Sequence, residues 1–335
     1  MNDGKPVGVP KISVIVPVRN EATSVSTLIE GLLNQTLRPS EIVITDGGST
    51  DKTPDIIEQF VSNGAPVRLL REEFSLPGRA RNIGAANARE EWLAFTDAGT
   101  RPEPDWLERL AAAAVFDSQI DVIYGSFEPK VDSFFEECAA IAYVPARDEQ
   151  GARPWSIVSA LMRRKVWESV GGFPEDLRSA EDLLFIRKVE TAGFRVASAP
   201  DAIVHWNLQP NLWRTFRRFT TYARHNIRAG LWREWQLAIF KRYAFLLLFA
   251  APAIFAGWWW LVVPAGLWLG MMMARAAKSI LRNRTTYPAN PARNLARLVM
   301  LMPILTVIDL SVAIGSIAWL VHDARRDWAP SKQIQ

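Results

Sequence analysis

Over the first 125 residues, short β-branched runs alternate with stretches whose apolar residues fall at helical spacing. Ile12–Val16 ends in the polar turn Pro17-Val18-Arg19-Asn20-Glu21, and Glu41–Thr45 ends in Asp46-Gly47-Gly48-Ser49-Thr50-Asp51. Between them Val25, Leu28, Ile29, Leu32 and Leu33 mark one helical face. The pattern predicts a strand–helix–strand unit with both polar turns at C-terminal strand ends, where an open α/β sheet binds its ligands. Val67–Arg71, Trp92–Thr96 and Asp121–Tyr124 extend it, so residues 11–125 predict a parallel sheet covered by helices. Residues 126–210 read as irregular, with a turn at Gly171-Gly172-Phe173-Pro174.

The rest of the chain has a different pattern. Residues 211–242 read as basic amphipathic helix lying at an interface, and residues 243–274 and 298–321 are long apolar runs. The first run holds 32 residues, too long for one upright span of about 20. Trp258-Trp259-Trp260 lies near its middle, Pro252 and Pro264 sit in its two halves, and both flanks are basic. Tryptophan favours the membrane interface and Lys/Arg the cytoplasmic side, so a transmembrane hairpin is predicted for 243–274 and a single crossing for 298–321. Asp309, inside the second run, is expected to face protein rather than lipid. The predicted organisation is a leader over 1–10, an α/β domain over 11–210, interfacial helices over 211–242, the hairpin, the single helix and a tail over 322–335.

Charge sharpens this division. The net charge is only +4, but acids concentrate before residue 210. From Arg214 to Arg242 there are eight Lys/Arg against Glu234 alone, and from Arg275 to Arg297 six Lys/Arg and no acid. Basic stretches beside apolar runs point to membrane lipids rather than nucleic acid, and place the N-terminal domain on the cytoplasmic side of the inner membrane. Cys138 is the sole cysteine, which excludes an intrachain disulfide and fits a reducing compartment. Met1–Lys11 lacks the apolar core of a signal peptide.

Five motifs follow in order: Pro17–Glu21, Asp46–Asp51, Gly78-Arg79-Ala80-Arg81-Asn82-Ile83-Gly84, Thr96-Asp97-Ala98-Gly99 and Glu181-Asp182. Together they resemble the family 2 glycosyltransferases of GT-A fold, over roughly residues 11–225. The resemblance implies a nucleotide-diphospho-sugar transferase domain of Rossmann-like α/β fold, followed here by C-terminal transmembrane helices. It implies that Pro17, Arg19, Glu21 and Asp46 line the donor pocket and that Arg81 sits near the donor phosphates, where a guanidinium can bind bidentately. Asp97 matches the first acid of a metal-binding Asp-x-Asp, implying Mg2+ or Mn2+ against the diphosphate. Gly99 replaces the second acid, so one carboxylate remains, with Glu103 and Asp105 as acids that could compensate or simply sit at a helix N-terminus beside Pro104. Some GT-A enzymes add a downstream histidine ligand, which makes His205 a candidate beside Asp97. By the same resemblance Asp182 is the general base of an inverting transfer, and Glu181 orients the site.

Plainer readings stand beside each of these. Asp46 can be a turn or helix-capping aspartate, Arg81 a surface charge, His205 a structural histidine, and Glu181 and Asp182 acids at the positive end of a helix dipole. Trp213, Phe216, Phe219 and Tyr222 interleave with arginines; such a helix can lie on anionic lipid or clasp a phosphate. The stretch Asn211-Leu212-Trp213-Arg214 departs from the Gln-x-x-Arg-Trp of processive polymerases, which favours single addition. The expected activity is transfer of a sugar from a nucleotide-sugar donor to a lipid-linked or glycan acceptor of the cell-envelope polysaccharide kind. A nucleotidyltransferase would carry a glycine-rich phosphate loop after the first strand, which Val18–Glu21 does not supply. Gly99 leaves a third reading open, a non-catalytic membrane scaffold built on a degenerate transferase domain.

Overall fold

The computed structural model describes residues 10–148 and 152–324. Nearly all of the predicted leader and most of the predicted tail lie outside them. The chain divides into two compact units. The first runs up to Lys130 and resumes over Arg147–Asn207.

This unit is built on one eight-stranded sheet: β1 Ile12–Val18, β2 Glu41–Asp46, β3 Val67–Arg71, β4 Trp92–Phe95, β5 Thr100–Pro102, β6 Val122–Lys130, β7 Ala160–Arg163 and β8 Val196–Asn207. The helices are α1 Val25–Leu33, α2 Thr53–Ser62, α3 Pro77–Asn87, α4 Trp106–Phe116, α6 Arg164–Ser169 and α7 Glu181–Thr191, while α5 Phe134–Tyr143 belongs to the second unit. The strand order is β3-β2-β1-β4-β7-β6-β8-β5. Every residue of β2 is buried, as expected of a parallel strand covered on both faces. α1 turns Val25, Leu28, Ile29 and Leu32 inward, the face its spacing predicted.

The structure differs from the sequence expectation in two respects. The sheet is mixed: β1 to β4 pair in parallel, but β7 runs antiparallel between β4 and β6, and β5 antiparallel to β8. Residues 126–210 are not irregular, since they hold most of β6, all of β7 and β8, and the three helices α5, α6 and α7. β5 and β7 have three and four residues, too short for a period to register. The strand expected at Asp121–Tyr124 continues to Lys130 through an irregularity at Gly125. A β-carbon there would stand 2.1 Å from Ser159 Oγ and 2.5 Å from the Ala202 carbonyl oxygen, so only glycine fits. One face of the sheet buries Val14, Val16, Leu28 and Trp106. The other buries Ile15, Phe95, Tyr124, Phe173 and Phe185.

The second unit comprises Val131–Ala146 and the chain from Leu208 onward. It contains α5, α8 Leu212–Arg228, α9 Trp232–Trp235, α10 Leu237–Ala250, α11 Ala253–Ala256, α12 Val262–Arg282 and α13 Pro291–His322. α8 packs tightly on α13: a β-carbon on Gly315 would lie 2.4 Å from the Thr220 carbonyl oxygen and 2.8 Å from Ala223 Cβ. Such small-residue contacts let helices approach closely where lipid removes the hydrophobic drive.

Among the described residues three helical stretches are long and apolar enough to cross a membrane: Leu237–Ala256, Trp258–Arg282 and Pro291–His322. The first begins six residues before the start expected for the run at 243, and the second continues past 274. Both extensions carry basic side chains, whose long stems let apolar helix run to a charged end. Gly257, with φ 92°, separates them, and Trp260 Nε1 donates to the Phe249 carbonyl across the break at 2.9 Å. Asp309 is 1% exposed; Arg275 donates to its two oxygens at 2.5 and 3.0 Å, and Tyr243 adds a hydroxyl at 3.2 Å. The acid is thus paired inside protein, as an ionised group at membrane depth requires.

Candidate active site

The chain leaves β1 for β2 on one side and reaches β4 on the other, so the C-terminal ends of β1 and β4 form a topological switch point. Pro17 pairs with Thr45 and Val18 with Asp46 at this edge. Asp46 is 3% exposed and accepts from the Ser49 amide at 3.1 Å and the Ser49 hydroxyl at 2.5 Å. The Asn20 amide donates to Ser49 Oγ, and Asn20 Oδ1 accepts from the Thr50 amide, both at 2.8 Å. Glu21 donates its amide to Thr53 Oγ1 at 2.8 Å and accepts from Ser24 Oγ at 2.5 Å. The Arg19 guanidinium lies 4.6 Å over the Phe74 ring. The two sequence turns are therefore stitched together. Asp46 does close a turn, as its plainer reading has it, and it does so beside Pro17, Arg19 and Glu21.

Arg81 enters from α3, which begins at Pro77, whose missing amide costs nothing in the first helical turn. Its side chain is 4% exposed. Nη1 donates to Glu181 at 2.8 Å and Nη2 to Asp97 at 2.7 Å, while the guanidinium lies 5.5 Å over Phe173. Asp182 Oδ1 accepts from the Leu183 amide at 2.8 Å. Arg81 is thus no surface charge; it joins the loop after β4 to the start of α7.

Burial works against the charge on Arg81, yet Asp97, Glu181 and Asp182 together hold its pKa above the ordinary arginine value. Burial raises the pKa of Asp182, and the negative charge of Asp97 adds to it against the pull of Arg81. Glu181 is also raised, first by burial and then by Asp182, with Arg81 opposing. Three carboxyls face one guanidinium, so the pocket carries an excess of negative charge that favours a retained proton.

Asn82, which the sequence reading did not single out, braces the same corner. Its Oδ1 accepts from the Phe173 amide at 2.8 Å and Trp167 Nε1 at 3.0 Å, and its Nδ2 donates to the Phe173 carbonyl at 2.9 Å. Among the described residues the non-glycine positions with positive φ are Asn20 at 56° and Ala180 at 72°. One lies in the turn after β1, the other immediately before Glu181. Alanine tolerates this conformation poorly, and such strain gathers at functional sites. Gly78 closes the corner: a β-carbon there would lie 2.0 Å from the Pro174 carbonyl oxygen and 3.4 Å from Glu181 Cγ. Gly78→Ala is expected to lower stability by about 1–3 kcal/mol, read by chemical denaturation. An unchanged midpoint would show that the α3–Pro174 contact gives way freely.

The metal expectation meets a partial fit. Asp97 holds Arg81 with one oxygen, and its side chain is 36% exposed. Gly99 contributes no ligand. His205 stands on β8 opposite Arg101, its Nε2 2.8 Å from Glu103 Oε1, a partner that sequence reading did not foresee. Among the described residues no three His, Cys, Asp or Glu are grouped to hold an ion. The donor set therefore suits a hard cation that brings phosphate oxygens with it, which needs only one or two protein carboxylates. It does not make a self-contained site, and His205 is engaged elsewhere.

A model described as glycosyl transferase family group 2 matches residues 92–310, and one described as glycosyl transferase family 2 matches residues 13–167. The chain belongs to glycosyl transferase family 2. The glycosyltransferase AglE of Haloferax volcanii is 29% identical over 201 residues, covering 58% of this chain and 66% of that protein. The chain thus spans slightly under two thirds of AglE. The succinoglycan biosynthesis protein ExoA of Rhizobium meliloti is 28% identical over 309 residues, 86% of this chain and 90% of ExoA. In fold, the chain is similar to the mannosyltransferase PcManGT from Pyrobaculum calidifontis, solved with GDP-Man and Mn2+. The TM-score is 0.54 at 21% identity over 94% of this chain and 88% of that one. The expected fold class, a GT-A α/β domain followed by apolar C-terminal helices, matches what is found.

Proposed function

We propose that this family 2 member is a membrane-associated inverting glycosyltransferase that adds one sugar from a nucleoside-diphosphate sugar to a glycan or lipid-linked acceptor. The observation that carries the reading is the Arg81 cluster, which sets Asp97, Glu181 and Asp182 around one buried guanidinium at the switch point of the sheet. The nucleoside lies over the β1 and β2 turns against Asp46, Pro17, Arg19 and Glu21, with its diphosphate toward Asp97. Asp182 takes the proton of the acceptor hydroxyl as that oxygen bonds to the anomeric carbon from the face opposite the leaving group. The bond from that carbon to the phosphate oxygen breaks, and the nucleoside diphosphate departs with the electron pair. Burial raises the pKa of Asp182, which makes its carboxylate a stronger base than an ordinary one. Arg81 holds Glu181 and Asp97 together through its two terminal nitrogens. Asp97 would hold Mg2+ or Mn2+, which when bound offsets the charge of the diphosphate.

A thermal-shift series tests this reading. A nucleotide sugar should raise the melting temperature in Mg2+ or Mn2+ and lose that effect in excess EDTA, because only ligand bound to the folded state stabilises it. The scaffold reading predicts no shift with any nucleotide sugar under either condition.

We also place the catalytic unit on the cytoplasmic side, with the tip at Gly257–Trp259 at the far interface. Trp258 and Trp259 are 84% and 58% exposed, and the stretches on either side are long enough to span. In a Cys138-free background, Ser279Cys should resist an impermeant thiol reagent applied to intact cells. Labelling from outside would overturn the arrangement.

A further inference from the structure

Trp155 takes no part in the site described above. It lies in the segment that leads into β7, and its ring stacks on Tyr124 of β6 with centroids 4.9 Å apart and planes 14° apart. Tyr124 is fully buried, whereas Trp155 is 38% exposed. One face of the indole is thus backed by a core ring while the residue remains open to solvent. Both approaches to Trp155 are fixed. Arg153 is buried and grips Glu128 of β6 through Nε at 3.1 Å and Nη2 at 2.8 Å. On the other side Ile157 is fully buried in the same core as Tyr124.

Register places this ring relative to the reacting groups. Ala160 of β7 pairs with Phe95 of β4 on one side and Tyr124 of β6 on the other. Tyr124 therefore stands level with Phe95, two strands and about 10 Å away, and Asp97 follows Phe95 by two residues. Tyr124 and Phe95 share a core with Phe173 and Phe185, and Phe185 lies one turn into α7, which starts at Glu181. The strand order β2-β1-β4-β7-β6 sets the groups in sequence along the edge. Asp46 comes first, then Pro17 and Arg19, then Asp97, and Trp155 last.

From this we infer that Trp155, held against Tyr124, is a platform on which a pyranose ring of the acceptor stacks, next along the sheet edge from Asp97. The inference rests on the proposed transferase reading and adds the acceptor's chemical class. A donor laid with its nucleoside at Asp46 and its diphosphate at Asp97 leaves the next position along the edge for the incoming glycan. The apolar C–H face of a pyranose suits a rigid indole, which supplies contact area at small entropic cost.

The test uses full-length detergent-solubilised protein, a nucleotide sugar that stabilises it, and octyl β-D-gluco- and galactopyranoside as acceptor probes. Trp155→Ala should raise KM for the octyl pyranoside about tenfold, with a smaller change in kcat and the same nucleotide-sugar Kd. Trp155→Phe, which can still stack on Tyr124, should recover most of the loss. A merely structural role would lower kcat and melting temperature together and spare KM, which overturns the platform. So does an equal loss of nucleotide-sugar affinity, which would assign Trp155 to the donor sugar. Wild-type protein that binds a nucleotide sugar but glycosylates neither octyl pyranoside overturns the platform and leaves the proposed activity standing. If it binds no nucleotide sugar at all, the proposed function fails and takes the platform with it.

Discussion

Asp182→Asn should lower kcat by roughly 10²- to 10⁴-fold while leaving nucleotide-sugar affinity close to wild type. The amide is nearly isosteric and can still accept the Leu183 amide hydrogen through its oxygen, so the start of α7 should hold its shape. What is lost is the ability to take a proton. The expected pH dependence follows from the raised pKa of Asp182, caused first by burial and supported by Asp97. The base works only when ionised. Activity should therefore be full above that pKa and fall as pH drops through it, at a pH above the usual carboxylate range. Steady-state kinetics across pH with a saturating donor measures both effects. A variant with wild-type kcat, or a wild-type profile flat down to pH 4, would remove Asp182 from the chemistry.

Arg81→Ala is expected to do the most damage to the fold and the site together. The side chain is 4% exposed and spans Asp97 and Glu181, and Glu181 is itself 6% exposed at its side chain. Removing the guanidinium leaves buried acids without a countercharge, a loss of about 3–5 kcal/mol. The Glu181 and Asp182 carboxyls should then hold their protons to still higher pH, because the charge that pulls their pKa down is gone. Donor binding should fail as well, since Asp97 loses its tether. Arg81→Lys keeps the charge but cannot reach both acids in a fork, so it should restore more stability than activity. Urea denaturation and nucleotide-sugar thermal shifts on both variants check this. An Arg81→Ala protein of wild-type stability would mean that the acids already carry protons in the native state.

β1 and β2 were legible because each is a β-branched run closed by a polar turn, β3 and β4 because each is a short apolar stretch ending in polar residues, and α1 because four apolar residues share one face. The order of motifs, more than any one of them, marked Asp46, Arg81, Asp97 and Asp182. What the sequence could not show was long-range pairing. Arg81 and Glu181 are 100 residues apart, Asn82 and Phe173 are 91 apart, and His205 and Glu103 are 102 apart. No local pattern announces that Arg81 is buried or that His205 has a carboxylate partner. β7 stayed hidden in a stretch without periodicity, and with it the register that sets Trp155 along the edge. Ala180 was invisible because a left-handed alanine is imposed by tertiary packing and has no local signal.

The excursion of the chain into α5 has a consequence for biosynthesis. α5 leaves the first unit after Lys130, and its fixed partners lie far downstream: Glu137 is held by Arg293, 156 residues later, and by Arg297, 160 residues later. Its apolar face, with buried Cys138 and Ile141, packs with Met272, Leu301 and Ile304. At ribosomal speeds of about 5–20 residues per second, that face waits on the order of 10–30 s for its partners to be made. During this interval an unpaired acid and a greasy helix surface protrude from a nascent chain whose sheet strands are already complete by Asn207. Burial against the later helices ends the exposure, so delaying their synthesis or folding, rather than weakening the sheet, should be the condition under which newly made chains aggregate.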